Sequence, residues 1–146
     1  MRLILASASP RRLDLLARIG VVPDAIHPAE IDESIPKGEL PLAHAERLAS
    51  EKAAAVAAFP GQLDAANVTD TMVLAADTVV AVGRRILPKV EDEATLRRCM
   101  ALLSGRRHRV LTGVALALPE GKMRTRLVET MIAMKRLSAE EIDYYA

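Results

Sequence analysis

With 146 residues, 51% of them hydrophobic, the chain is long enough to bury a core, and no apolar run in it approaches the roughly 20 residues that span a membrane. A formal net charge of +1 offers no bulk attraction to a polyanion, and Phe59, Tyr144 and Tyr145, the whole aromatic set, make no stacking platform, so nucleic acid is not the expected partner. The lone Cys99 excludes an internal disulfide and suits a reducing cytoplasm, and the apolar stretch after Met1 is too short for a secretory signal.

Leu3 to Ala6 reads as a short buried strand. Ser9 as a cap, Pro10 at the first helical position and Gly20 past the end predict a helix over Pro10–Ile19. Ala25 to Asp32 is a weak extended segment, and Pro36 to Pro41 a loop. An alanine-rich helix is expected from Leu42 to Phe59, then a polar loop from Pro60 to Asp70. Met72 to Val82 is a strong apolar run interrupted only by Asp77 and Thr78. Gly83 turns the chain toward Ile86-Leu87, and a helix follows over Asp92–Leu103 with Gly105 as its stop. His108–Leu118 and Arg124–Lys135 read as two strands joined at Pro119-Glu120-Gly121-Lys122. Strands alternating with helices imply a layered α/β domain. Ser138-Ala139-Glu140-Glu141 is a capping-box pattern opening a last helix. It stops at Ala146 with no closing glycine or proline, as expected of a chain cut short within its domain.

Any anion recognised by so neutral a chain must meet a local cluster of cations, which points to a small substrate. The junction Ser7-Ala8-Ser9-Pro10-Arg11-Arg12 puts two arginines in a helix's first turn, where the dipole disfavours them unless an anion intervenes. A capped helix with two solvated arginines is the plainer reading. Asp77 interrupts a strand otherwise apolar on both flanks, where a carboxylate would hold a metal or take a proton from water. The alternative is a turn splitting two strands, with Asp77 in solvent. Lys52 falls on the apolar side of its helix, yet lysine can carry its head back to water. Taken singly, Lys89 reads as an exposed loop lysine and Glu33 as a surface carboxylate. His108 has no His or Cys at zinc-ligand spacing, and there is no Walker-type glycine loop.

Together these segments resemble one family. Leu5-Ala6-Ser7-Ala8-Ser9-Pro10-Arg11-Arg12, Asp32-Glu33, Glu51-Lys52-Ala53, Ala76-Asp77-Thr78, Lys89 and Leu103-Ser104-Gly105-Arg106-Arg107-His108-Arg109-Val110 are similar to the Maf family of septum-formation-associated nucleotide pyrophosphatases. The resemblance implies one Maf/ITPase-like α/β domain over residues 1–146, a long twisted mixed sheet flanked by helices around a central cleft, commonly as a homodimer. It implies a cytoplasmic enzyme that hydrolyses nucleoside triphosphates to the monophosphate and pyrophosphate with Mg²⁺ or Mn²⁺. Asp77 matches the acid that receives the proton of the attacking water. Arg12, Lys52 and Lys89 match phosphate-facing cations, Ser7 and Ser9 line the cleft, and Glu33 joins Asp77 at the metal. Arg11 and Thr78 match positions tied to base selectivity. With Arg11 where another branch carries a bulky aromatic, the chain looks like the branch that prefers dTTP and UTP. The family's later Asp-Lys-Ala-Gly-x-Tyr and Ile-Gln-Gly segments have no counterpart before Ala146. A non-enzymatic regulator of division that binds a nucleotide or a protein is the rival expectation.

Overall fold

The computed structural model describes residues 1–58 and 70–146. The apolar stretches form one mixed sheet. In it β1 (Arg2–Leu5) runs parallel both to the short β2 (Ala25–Ile26) and to β3 (Thr71–Val82). β4 (Arg85–Ile86) turns back onto the end of β3. β5 (Arg107–Ala117) lies antiparallel to β3, and β6 (Met123–Ala133) antiparallel to β5. The order is therefore β2-β1-β3-β5-β6, with β4 beside β3. Four α-helices accompany it among the described residues: α1 (Pro10–Arg18), α2 (Pro41–Ala57), α3 (Glu93–Leu103) and α4 (Ala139–Tyr145).

Two features of this sheet place the site. The first is the face that β3 turns toward α2. Side chains alternate along a strand, and Thr71, Val73, Ala75, Asp77, Val79 and Ala81 are all buried. Opposite them α2 buries His44, Ala45, Leu48, Ala49, Lys52, Ala53 and Val56, the spacing of one helical face. Its alanines bring the helix close to the strands, and fully buried Leu48 and Leu111 each contribute about 1.5–3 kcal/mol by leaving water.

The second feature is a split. β3 pairs with β1 through Leu74 and with β4 from Ala81 onward. Ala6 N–H donates to the Leu74 carbonyl at 2.8 Å and Leu87 N–H to the Val80 carbonyl at 2.8 Å, which closes the two ends. Among the described residues no strand covers that side of β3 in between. Asp77 lies in the middle of the gap.

Most elements fall where the sequence places them, and the departures have causes. β3 runs unbroken through Asp77 and Thr78, so the alternative of a turn there is overturned. The weak segment from Ala25 pairs only over Ala25–Ile26, and residues 27–40 carry no helix or strand. α2 starts one residue early because Pro41, lacking an N–H to satisfy, fits a first helical position. Phe59 and the expected loop after it, up to Val68 and Thr69, lie outside the described residues. Ser9 is the cap residue of α1, but its hydroxyl makes no capping bond. The neighbouring Ser7 Oγ accepts the Ser9 N–H at 3.2 Å instead. The capping box at Ser138 forms as expected, Ser138 Oγ accepting from Glu141 N–H at 3.2 Å and Glu141 Oε2 from Ser138 N–H at 3.0 Å.

Candidate active site

Lys52 joins the residues the sequence singled out. Its Nζ donates to Asp77 Oδ1 at 2.7 Å and lies 2.6 Å from Glu33 Oε1. Glu33 in turn uses Oε2 to accept from Lys89 Nζ. The chain of charges thus runs Asp77–Lys52–Glu33–Lys89, from the sheet's interior to the surface. Lys52 and Asp77 are 8% and 6% exposed, so the reading of Lys52 as a lysine with its head in water is corrected, while Glu33 stays half-buried at the surface but paired. A buried lysine needs such carboxylates, because an unpaired ammonium in an apolar face loses its hydration without return. Lys89 is indeed an exposed loop lysine, its side chain 72% accessible, but it is paired. The hydrogen bonds from Lys52 and Lys89 pull the Glu33 carboxyl down to about 2.

Arg12 stands at the second edge of the cluster. Its Nη1 donates to Ser7 Oγ at 2.8 Å. Burial lowers the Arg12 guanidinium from its ordinary value, while the fields of Asp77 and Glu33 oppose that shift. Ser7 is buried and Ser9 half-buried, whereas Arg11 is exposed. Thr78, next to Asp77 in the strand, points to the opposite face and is exposed. Its hydroxyl lies 3.0 Å from that of Thr112.

A cleft of about 770 Å³ follows the split in the sheet, lined by Glu33, Asp77, Thr78, Lys89 and apolar residues of β3 and α3 such as Val80 and Leu96. Ser7, Ser9, Arg11, Arg12 and Lys52 are not among its lining residues, Lys52 being buried behind Asp77 and Glu33. A smaller hollow of about 340 Å³ beside Ala57 and Gly121 has no comparable charge cluster.

Glu33 and Asp77, both hard oxygen donors held on one ammonium, fit a divalent ion of the Mg²⁺ class. Such ions are commonly bound by one or two carboxylates with substrate phosphates and water completing the shell. An all-protein cage is another matter: no group of three His, Cys, Asp or Glu suited to a metal occurs among the described residues.

Sequence reasoning missed Gly113. It is the register partner of Asp77 on β5. A Cβ built there would stand 2.2 Å from the Ala45 carbonyl oxygen of α2. A glycine inside an otherwise apolar strand is a signal of close backbone approach, and Leu111-Thr112-Gly113-Val114 carried it.

The same architecture occurs in a nucleoside-triphosphatase / dITP/XTP pyrophosphatase from Mycobacterium abscessus, with a TM-score of 0.55 over 95% of this chain and 76% of that one; at 20% identity the likeness is one of fold. Sequence narrows the class further. Residues 2–146 match the model of the Maf-like protein family, and the chain belongs to that family. A dTTP/UTP pyrophosphatase of Caulobacter vibrioides is 60% identical over 144 residues, spanning 98% of this chain and 70% of the relative. One of Paramagnetospirillum magneticum is 57% identical over 145 residues, 99% of this chain and 72% of the relative.

Proposed function

We propose that this chain is a nucleoside triphosphate pyrophosphatase acting on dTTP and UTP. The observation that carries the reading is the buried Lys52 held between Asp77 and Glu33 at the split in the sheet. The names of the relatives support the substrate. Asp77, Glu33 and Lys89 on the cleft wall, with Lys52 paired to both carboxylates and Arg12 in their field, suit a reaction in which charge gathers on phosphoryl oxygens, where positioning and electrostatics supply most of the rate.

In the proposed reaction Asp77 accepts a proton from a water whose oxygen bonds to the α-phosphorus. The bond from that phosphorus to the α–β bridging oxygen breaks, and pyrophosphate leaves with the electron pair. Lys52, Lys89 and Arg12 meet the phosphoryl oxygens. Glu33 holds Lys52 and Lys89 in place until substrate competes for them, Ser7 orients Arg12, and Ser9 offers its hydroxyl at the start of α1. Arg11 and Thr78 face the nucleoside side. Glu33 and Asp77 are the residues that would hold Mg²⁺ or Mn²⁺, which when bound supplies charge neutralisation to the phosphates. The protein is expected in the cytoplasm, and a homodimer is the proposed assembly. No described helix is long and apolar enough to cross a membrane.

Pyrophosphate release from dTTP, UTP, CTP and GTP with Mn²⁺ tests the proposal. Preferential release from dTTP and UTP, reduced about 10²–10⁴-fold in Asp77→Asn, supports it. No release from any of the four ends the enzymatic reading for this chain and brings the division-regulator reading forward.

A further inference from the structure

Glu33 is delivered to Lys52 by residues 27–40, which have no helix or strand to hold them. Holding an irregular stretch in one conformation costs backbone entropy that local contacts must offset. Asp32 makes a first contribution, its two oxygens accepting from Ser34 N–H at 2.9 Å and from the Ser34 hydroxyl at 3.0 Å. The larger one comes from Arg47 on α2. Arg47 Nε donates to Glu39 Oε1 at 2.6 Å and Nη2 to Glu39 Oε2 at 3.0 Å, a two-point fork. The same Nη2 donates to the Ser34 carbonyl at 3.0 Å, and Nη1 to Glu51 Oε2 at 3.0 Å. His44 Nδ1 lies 2.6 Å from Glu39 Oε2, close enough that the ring must donate there.

Arg47 therefore grips residue 34 and residue 39, the two ends of the stretch that follows Glu33. Exposed ion pairs usually contribute little. This one differs in kind: the Glu39 side chain is only 12% exposed, that of Arg47 28%, and one guanidinium also satisfies a main-chain carbonyl. A lysine has no planar fork and cannot reach both ends at once.

We propose that Arg47, acting with Glu39, is the positioning residue for Glu33: its fork fixes the irregular segment on α2 so that Glu33 meets Lys52 and Lys89. Arg47 is not among the residues that line the cleft. The consequence for turnover rests on the pyrophosphatase reading, and the consequence for the segment does not.

The test is Arg47→Lys, which keeps the charge and the helix. Amide hydrogen exchange of residues 33–39 is expected to speed up about tenfold or more while α2 beyond residue 48 stays protected. In steady-state kinetics with dTTP, kcat should fall about tenfold with KM within about twofold. Added to Glu33→Gln, the substitution should cost no further turnover, since both act through one carboxylate. Wild-type protection of the segment, or full additivity with Glu33→Gln, overturns the proposal. If Arg47→Lys fails to fold, Glu39→Gln is read by the same exchange: faster exchange of residues 33–39 supports the proposal, and wild-type protection overturns it. A wild type that releases no pyrophosphate sinks the enzymatic reading, and the exchange comparison still decides the role of Arg47.

Discussion

Asp77 and Gly113 lie opposite each other across β3 and β5, and at the glycine α2 rests on bare main chain. A Cβ there would sit 2.2 Å from the Ala45 carbonyl oxygen and 2.6 Å from its carbon, well inside any contact distance. Lys52 stands about two turns further along the same buried face of α2. The missing side chain of Gly113 thus sets the height at which Lys52 meets Asp77. Gly113→Ala should lift the helix, at an overpacking cost of about 1–3 kcal/mol. It should also reduce turnover about a hundredfold, the scale of a misplacement near 1 Å. Thermal melting and kcat read the two effects. A variant with wild-type values for both would show that α2 has slack the geometry denies.

Along β3 Asp77 falls between two apolar clusters, one around Ala49, Ala53 and Ala75, the other around Ala45, Val79 and Leu111, and Lys52 is its buried partner. The two members of the pair should respond differently to substitution. Lys52→Met leaves Asp77 buried without its cation, a loss of about 3–5 kcal/mol in stability as well as loss of activity. Asp77→Asn leaves Lys52 its bond to Glu33, so stability should fall less while turnover drops about 10²–10⁴-fold, the usual worth of a positioned base. Urea midpoints beside kcat separate these signatures. Equal stability losses in the two variants would count against Glu33 as the second partner of Lys52.

How much of this was legible in the sequence depends on how local each signal is. An aspartate inside Val73–Val82 declared itself, since both flanks demanded a strand and a strand residue cannot avoid facing either the core or water. Gly105 and the capping box at Ser138 were equally local. The partner of Lys52 was not legible from periodicity. Glu33 reaches it along an irregular path whose course depends on Arg47, a residue on a different element. Caps misled in a smaller way, because Ser7 and Ser9 are chemically alike and only the backbone geometry of the junction decides that Ser7 accepts the bonds. The family resemblance drew Arg12, Glu33, Lys52, Asp77 and Lys89 together, where the residues alone left Lys52, Lys89 and Glu33 with a plainer reading.

Among the described residues Asp32, Glu33, Glu39, Asp92 and Glu141 all hold their carboxyls below the ordinary range, and Glu33 and Glu39 go furthest, each to about 2 from an ordinary 4.5. For Glu33 the cause is the pair of lysines, and for Glu39 it is first the Arg47 hydrogen bond. A folded value below the unfolded one means that the folded state binds fewer protons over that interval. The stability these groups contribute is therefore present above about pH 4.5 and disappears as pH falls through about 2. Urea unfolding followed from pH 5 down to pH 2 should show a steady decline, shallower in Glu39→Gln. A flat profile in the wild type would mean that neither carboxylate is held by its cations, and a profile unchanged by that substitution would mean that Glu39 is not.

Thr78 and Thr112 share a hydrogen bond of 3.0 Å on the face of the sheet opposite Lys52, where either hydroxyl can be the donor. Thr112→Val keeps shape and strand propensity while deleting the hydroxyl that fixes the Thr78 rotor. The site is open to solvent, so the stability change should stay below about 1 kcal/mol. If Thr78 faces the nucleoside, a freed hydroxyl loses its preferred direction and discriminates less. The ratio of kcat/KM for dTTP over CTP is then expected to fall severalfold, with kcat for dTTP nearly unchanged. A hydrogen bond's worth of preorganisation, about 1 kcal/mol, corresponds to about fivefold in that ratio. Should the ratio hold while Thr78→Val also leaves it untouched, the base is read by other residues, and Arg11 becomes the next to substitute.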